Sequence, residues 1–267
     1  MHSPTVSIIT PVYQSDTFER CRESVISQTI PVQHIVIDGG SSPSRLKLYK
    51  SLLGEGDRLV SESDNGIYDA LNKGIRISTG EIIGILHSDD VFASETVLET
   101  VRKEIAESHL DYSYGDLEYI TLSSRRVRYW KGGSFRSRSL FWGWMPPHPT
   151  VFVKRTALEV CGYYDPSFKI AGDYDFTLRL FESDDLKGKY IASLITRMTI
   201  GGTSNRSASA IMAKSREDLK VMRKHRLNPL ITLPAKNLRK IVQFLPQRDP
   251  NSPLGIVLKH NGRNSIV

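Results

Sequence analysis

Along the first 110 residues, short unbroken apolar runs alternate with stretches whose apolar residues fall at helical intervals. "TVSIITPVY" is the first run, interrupted by Pro11, and "DTFERCRESVISQ" after it spaces Phe18, Cys21 and Val25 as one helix face would. "HIVIDGGSS" reads as a second strand ending in turn residues, and "PSRLKLYKSLL" as a helix. "DRLVSES" gives a third strand, "GIYDALNKGIRIS" a helix with Ile67, Leu71 and Ile75 at i, i+4 and i+8, and "EIIGIL" a fourth strand. Continuous apolar strands between helices predict an α/β fold with a mainly parallel sheet covered on both faces.

Beyond residue 110 the pattern changes. "YSYGDLEYI" and "RRVRYWKGG" alternate and predict an antiparallel pair. "PPHPTVFVKRTALEVCGYYD" reads as a strand then a helix, "GDYDFTLRLFES" as a helix with acids in its first turn, and "YIASLITRMTI" as a closing strand. After "GGTSNRS", the segment "SAIMAKSREDLKVMRKHR" is helix-compatible up to a break at Pro229. In "PAKNLRKIVQFLP", Leu238, Ile241, Val242 and Leu245 make an apolar stripe beside Lys236, Arg239 and Lys240. No internal repeat is visible.

Charge divides the chain in two. Residues 206–267 hold 13 Lys and Arg against 3 Asp and Glu, whereas residues 1–205 hold 23 against 26. A near-neutral domain over 1–205 followed by a basic amphipathic helical tail over 206–267 is the expected organisation. The stripe suits the cytoplasmic face of an anionic membrane or ordinary packing onto the domain, and nucleic-acid binding is not expected because no recognised module is present. No window approaches the ~20 apolar residues of a spanning helix, and Met1-His2-Ser3-Pro4 lacks the features of a secretory signal, so a cytoplasmic location is expected. Cys21 and Cys161 fall inside apolar patterns and read as reduced core residues.

Ligands of such sheets gather at the carboxyl ends of the strands. Thr10, Asp38, Asp64 and the pair Asp89 and Asp90 all lie at or just after predicted strand ends. Singly, each acid reads as a helix cap; together on one rim they read as a site. Adjacent carboxylates repel, and a Mg²⁺ or Mn²⁺ ion that also holds a diphosphate would remove that repulsion.

Six segments carry a family resemblance: "VSIITPVYQ", "IVIDGGSS", "SESDNGIYDALNKGI", "STGEIIGILHSDD", "HPTVFVKR" and "GDYDFTLRL". Their order and spacing resemble the family 2 glycosyltransferases of GT-A fold over about residues 5 to 205. The resemblance implies a Rossmann-like nucleotide-binding half with a mixed, mainly parallel sheet. It implies that Thr10, Pro11, Tyr13 and Asp38 contact base and ribose, and that Asp64, Asn65, Lys73 and Ser88 belong to the donor side, with Tyr68 and Asn72 equally readable as packing. "HSDD" is similar to the family's Asp-x-Asp motif with His87 at its first position, which implies Asp89 and then Asp90 as ligands of Mn²⁺ or Mg²⁺. "GDYDF" resembles "EDYDL", implying Asp173 as general base, with Gly172 in place of the usual Glu; Asp175 reads as structural. His148 and Trp144, with Trp142, are implied near the reaction centre, and "GGTS" as a loop over the diphosphate.

The implied activity is metal-dependent, inverting transfer of a sugar from a nucleoside diphosphate donor, a UDP-sugar first among them. The implied acceptor is a hydroxyl of a glycan or lipid-linked sugar in surface polysaccharide synthesis. Two alternatives stand beside it: a sugar nucleotidyltransferase, whose glycine-rich basic loop is missing from "SIITPVYQSD", and a nucleotide-sugar-binding protein without catalysis. A dinucleotide oxidoreductase and a P-loop nucleotidase lack their glycine-rich fingerprints here.

Overall fold

The computed structural model describes residues 3–200 and 208–243. Its centre is a nine-stranded sheet. Strands β1 (Val6–Val12), β2 (Val32–Asp38), β3 (Arg58–Ser61) and β4 (Ile82–Ile85) form a parallel half in the order β3-β2-β1-β4. The sheet continues through β8 (Phe152–Lys154), β6 (Tyr112–Ile120), β9 (Gly188–Thr199) and β5 (Asp90–Phe92), while β7 (Arg126–Trp130) pairs with β6. In this second half β6 and β9 run parallel and the other pairings are antiparallel.

Helices α1 (Phe18–Ile26), α2 (Pro43–Leu52), α3 (Ile67–Ile77) and α4 (Val97–Glu107) follow the first strands as the periodicity predicts. Ile8, Ile9, Ile35 and Ile37 are completely buried between them, and removing each such side chain from water contributes about 1.5–3 kcal/mol. Helix α3 turns Tyr68, Leu71 and Ile75 inward, but Ile67 is exposed, because it stands at the first position of the helix, over the rim. Both cysteines are buried and free.

The register of the parallel half sets the rim of the site. Val12 pairs with Asp38 and Asp38 with Ser61, so the carboxyl ends of β1, β2 and β3 are level. The short strand β5, which the pattern of "SDDVFAS" does not announce, begins at Asp90 and pairs with β9. Helix α4 therefore starts only at Val97, with Thr96 and not an aspartate at its cap.

Helices α5 (Arg138–Phe141), α6 (Arg155–Cys161) and α7 (Gly172–Glu182) complete the part before residue 205. The expected boundary at 205 does not divide two packing units among the described residues. Helix α8 (Ala208–Lys224) buries Val221 and Met222 in the core cluster that also holds Tyr174 and Phe176 of α7, and α9 (Pro229–Val242) lies against α5. Of the predicted tail stripe, Leu238 is exposed; the side chains of Ile241 and Val242, and Leu245 altogether, lie outside the described residues, as does "GGTS" at 201–204.

Candidate active site

Strand ends and the turns after them supply one side of the cleft. Asp38, the last residue of β2, is fully buried and spends its carboxylate on the chain itself: Ser61 Oγ donates at 2.7 Å and the Ser41 backbone N–H at 3.1 Å. It fixes the turn at Gly39 and Gly40. Gly39 leaves a narrow space beside it, since a Cβ there would stand 3.1 Å from Asp64 Oδ2 and 3.6 Å from the Tyr13 ring. The exposed Tyr13 ring and the Asp64 carboxylate thus both stand close to the Gly39 backbone.

Two expected nucleoside or donor contacts turn elsewhere. Thr10 is buried, with its hydroxyl 2.9 Å from His34 Nε2, while Arg22 stands 3.2 Å from the other ring nitrogen and 2.5 Å from Asp57. Burial, and then the Arg22 charge, push His34 down to about 3, so the imidazole is neutral and Thr10 is a core residue. A period of two along β1 turns Thr10 inward. Lys73 is held by Asp64 at 2.7 Å, Glu62 at 2.9 Å and Asp69 at 3.4 Å, which leaves its charge locally offset. Pro11 is partly exposed, and Asn65 lends its carbonyl to Lys169 Nζ at 2.7 Å.

The turn after β4 carries "HSDD". Thr17 Oγ1 donates to the Ser88 carbonyl at 2.9 Å, which ties this turn to the loop before α1. Asp89 and Asp90 part company here. Asp89 is partly exposed, whereas Asp90 is fully enclosed with neither carboxylate oxygen hydrogen-bonded. Burial first, then the Asp89 charge, hold the Asp90 carboxyl well above the usual range; the nearby Thr199 N–H opposes this without completing a hydrogen bond. The expected joint ligation by the pair is therefore not what the fold presents: the pairing of β5 with β9 draws Asp90 into the sheet.

Asp173 enters from the other side, in the first turn of α7, partly exposed and with Oδ1 accepting from the Tyr174 N–H at 2.8 Å. Its charge acts on Tyr68, His87, His148 and Tyr164. His148 is buried, with Nε2 2.7 Å from the Tyr164 hydroxyl. Burial pushes His148 down to about 4, against the pull of the Asp173 charge, so it is neutral near pH 7. Asn72 clamps the Tyr164 backbone from both sides, accepting from its N–H at 3.0 Å and donating to its carbonyl at 2.8 Å. Tyr68 stacks on Tyr164 with ring centroids 5.7 Å apart and donates to the Ile170 carbonyl at 2.7 Å.

His87 links the two sides. Its ring is lowered chiefly by burial, and the charges of Asp89 and Asp173 both act on it in opposition. The carboxylate of the strand turn and the carboxylate of α7 thus both act on one imidazole.

Trp144 does not reach it. Its Nε1 donates to the Gly132 carbonyl at 3.0 Å and its ring packs on Tyr114, Phe135 and Phe181, making it a core residue, while Trp142 stands on the surface. Asp175 is buried and paired with Arg179 at 3.0 Å and Lys224 at 2.8 Å. The sequence reading missed Tyr164, which no motif marks. It also missed Glu217 and Asp218, although these are the sole acids between residues 206 and 248.

Comparison with known proteins identifies the family and the fold. The family described as "Glycosyl transferase family 2" matches residues 7–164. A "PGL/p-HBAD biosynthesis glycosyltransferase" of Mycobacterium bovis (strain BCG / Pasteur 1173P2) is 28% identical over 212 residues, covering 77% of this chain and 81% of that protein. An "uncharacterized glycosyltransferase" of Mycobacterium tuberculosis is 32% identical over 181 residues, 66% of this chain and 69% of that one. Among solved structures, residues 1–349 of S. aureus TarS in complex with UDP-GlcNAc superpose with a TM-score of 0.59 at 17% identity, over 82% of this chain and 64% of that one. The sheet is that of the GT-A fold, and the chain is an enzyme of the glycosyltransferase class. It belongs to family 2 of the glycosyltransferases.

Proposed function

We propose that this chain transfers a sugar, with inversion, from a nucleoside diphosphate donor to an acceptor hydroxyl, and that Asp173 is the general base. The observation that carries the reading is Asp173, a partly exposed carboxylate in the first turn of α7. On this reading the donor's diphosphate lies toward Asp89 and the acceptor's hydroxyl toward Asp173. A base must stand within hydrogen-bond reach of the proton it takes, and a partly exposed carboxylate at a cleft wall meets that need.

In the step itself the acceptor O–H proton passes to Asp173 while the acceptor oxygen bonds to the anomeric carbon. The bond from that carbon to the diphosphate oxygen breaks, and the nucleoside diphosphate leaves with the electron pair. Attack opposite the leaving group inverts the centre. His148, neutral and hydrogen-bonded to Tyr164, can orient a sugar hydroxyl without competing for the proton. Tyr13 and Asp64, flanking Gly39, provide the slot for the base, and Asp38 holds the turn that shapes it.

The residues present fit a divalent cation in a limited way. Such ions are held in phosphoryl and glycosyl sites by one or two carboxylates together with substrate phosphates, and Asp89 is the partly exposed acid so placed. Asp90, enclosed but without a hydrogen-bond partner, lies behind it. Among the described residues no group of three His, Cys, Asp or Glu is arranged to hold a metal unaided. When bound, Mn²⁺ or Mg²⁺ would offset charge on the departing diphosphate.

Two names guide the substrates. The TarS structure of this fold holds UDP-GlcNAc, so uridine donors come first, and the mycobacterial relative's name places it in a biosynthesis that the acceptor search should follow. We place the reaction at the cytoplasmic face of a membrane, on a glycan or lipid-linked acceptor. No helix among the described residues is long and apolar enough to cross a bilayer. Yet Leu230, Leu238 and Trp142 are 86%, 62% and 57% exposed, with Arg239 donating to the Trp142 carbonyl at 2.8 Å. An apolar and aromatic face with arginine at its edge suits an anionic interface.

The deciding experiment replaces Asp173 by Asn. Transfer should fall by three or more orders of magnitude while the rise in melting temperature given by UDP-GlcNAc with Mn²⁺ persists. Full turnover in that variant would reject the base. Donor binding without any turnover in the unaltered chain would favour the non-catalytic binding protein.

A further inference from the structure

Helix α8 reaches the segment that leads into the proposed base. Residues 169–171 precede α7, and Asp173 stands in its first turn. The carboxylate of Glu217 on α8 accepts three consecutive backbone N–H groups there: Lys169 at 3.0 Å, Ile170 at 2.8 Å and Ala171 at 2.8 Å. From the opposite side, α3 holds the same segment, with the Tyr68 hydroxyl donating to the Ile170 carbonyl and Lys169 Nζ reaching the Asn65 carbonyl, each at 2.7 Å.

The first N–H groups of a helix have no partner within it, and a carboxylate placed on them or just before them fixes where the helix begins. Here that carboxylate comes from 46 residues downstream in sequence. Next to it on α8, Asp218 holds Lys236 of α9 at 2.9 Å, and that ammonium lies 3.4 Å from the centroid of the Tyr174 ring. At the end of α8 Lys224, and just after it His225, pair with Asp175. Residue 173 is thus framed by contacts from the C-terminal helices to the loop before it and to the two residues after it. Despite the burial that opposes it, the three N–H groups keep the Glu217 carboxyl below its usual range, so it is ionised at neutral pH.

We infer that Glu217 is a positioning residue for this enzyme: it sets the start of α7 and so the placement of Asp173 against the acceptor, which makes the segment 208–243 part of the catalytic unit. The inference rests on the reading of Asp173 as base. Misplacement of a reacting group by about 1 Å costs on the order of a hundredfold in rate, so a displaced α7 should act on turnover more than on donor binding.

The test uses the full chain with Glu217→Ala, Glu217→Gln and Asp173→Asn, and the nucleoside diphosphate sugar that most raises its melting temperature. Assays run well below the melting point of each variant. In Glu217→Ala, kcat should fall about tenfold to a hundredfold with the donor KM within about twofold, and amide exchange at residues 169–174 should quicken. Glu217→Gln, which keeps an acceptor oxygen, should recover part of the loss, and adding Glu217→Ala to Asp173→Asn should cost nothing more. Normal kcat in Glu217→Ala beside a dead Asp173→Asn would overturn this inference alone. A loss that merely tracks the unfolded fraction would do the same. Full turnover in Asp173→Asn would remove the base, and the positioning role with it.

Discussion

The ring of Tyr68 lies against the backbone of Gly172, so close that a Cβ on residue 172 would stand 2.7 Å from Tyr68 Cε2. The two residues are about a hundred positions apart, yet each explains the other. "EDYDL" in the resembled family has Glu where this chain has Gly172, and here the tyrosine fills the space that side chain would enter. Replacing Gly172 by Glu should therefore destabilise the chain by ~1–3 kcal/mol through overpacking. Adding Tyr68→Ala should recover part of that loss, because it vacates the clashing ring. Urea unfolding of the two single variants and the pair measures both effects, and additivity of the two losses would contradict the packing relationship.

The buried pair Lys236 and Asp218 makes a different demand. Both side chains are under a tenth exposed. Burial draws the lysine below its ordinary range, and Asp218 opposes this. Removing one partner strands the other charge, so Lys236→Met should cost about 3–5 kcal/mol, while Lys236→Met with Asp218→Leu should cost much less. Equal losses in single and double variants, read from thermal melts, would show that the pair is not the source.

The network at the end of α8 gives a pH dependence with a defined sign. His225 is lowered by burial, but the hydrogen bonds it makes to Asp175 and Glu182 outweigh this and raise it above its ordinary 6.5. A raised histidine contributes stability that is fully present below pH 6.5 and lost as pH rises through the folded value. Asp175 behaves in the opposite way: burial raises it, yet His225, Lys224 and Arg179 together bring it far below 3.8. Its contribution is present above pH 3.8 and fades as pH falls toward the depressed value. Melting temperature should therefore decline from pH 6 to pH 9 in the unaltered chain and decline less in His225→Gln. Parallel curves would discount His225.

Vesicle binding probes the exposed face of α9 and α5. The full chain should float with liposomes containing anionic phospholipid and much less with neutral ones, since attraction adds about 1 kcal/mol per basic residue near the surface. Trp142→Ser with Leu238→Ser should weaken flotation without changing donor binding. Self-association of the chain that the same substitutions abolish would assign the face to a second copy.

Much of the scaffold was legible because its strands are short apolar runs and its helices keep one buried stripe, both set by local geometry. Asp173 is marked by motif order and Asp89 by strand-end position and motif order together, and both side chains are partly exposed. Thr10 and Asp90, marked by strand-end position, and Trp144, implied by the resemblance, pack inward. Their direction depends on strand pleat and on the pairing of β5 with β9, and nothing in "SDDVFAS" states that a strand begins at its second Asp.

By itself the sequence determined the alternation of strands and helices, the family and the asymmetry of charge, since each is a property of residue order. Tertiary structure alone decided which carboxylates stay available and which are spent. Asp38 is taken up by Ser41 and Ser61, Lys73 by three acids, and Glu217 by backbone N–H groups 46 residues upstream. The physical reason is that a polar group buried on folding must find a partner or carry a large desolvation cost. Which partner it finds depends on how distant segments meet, which local pattern does not encode.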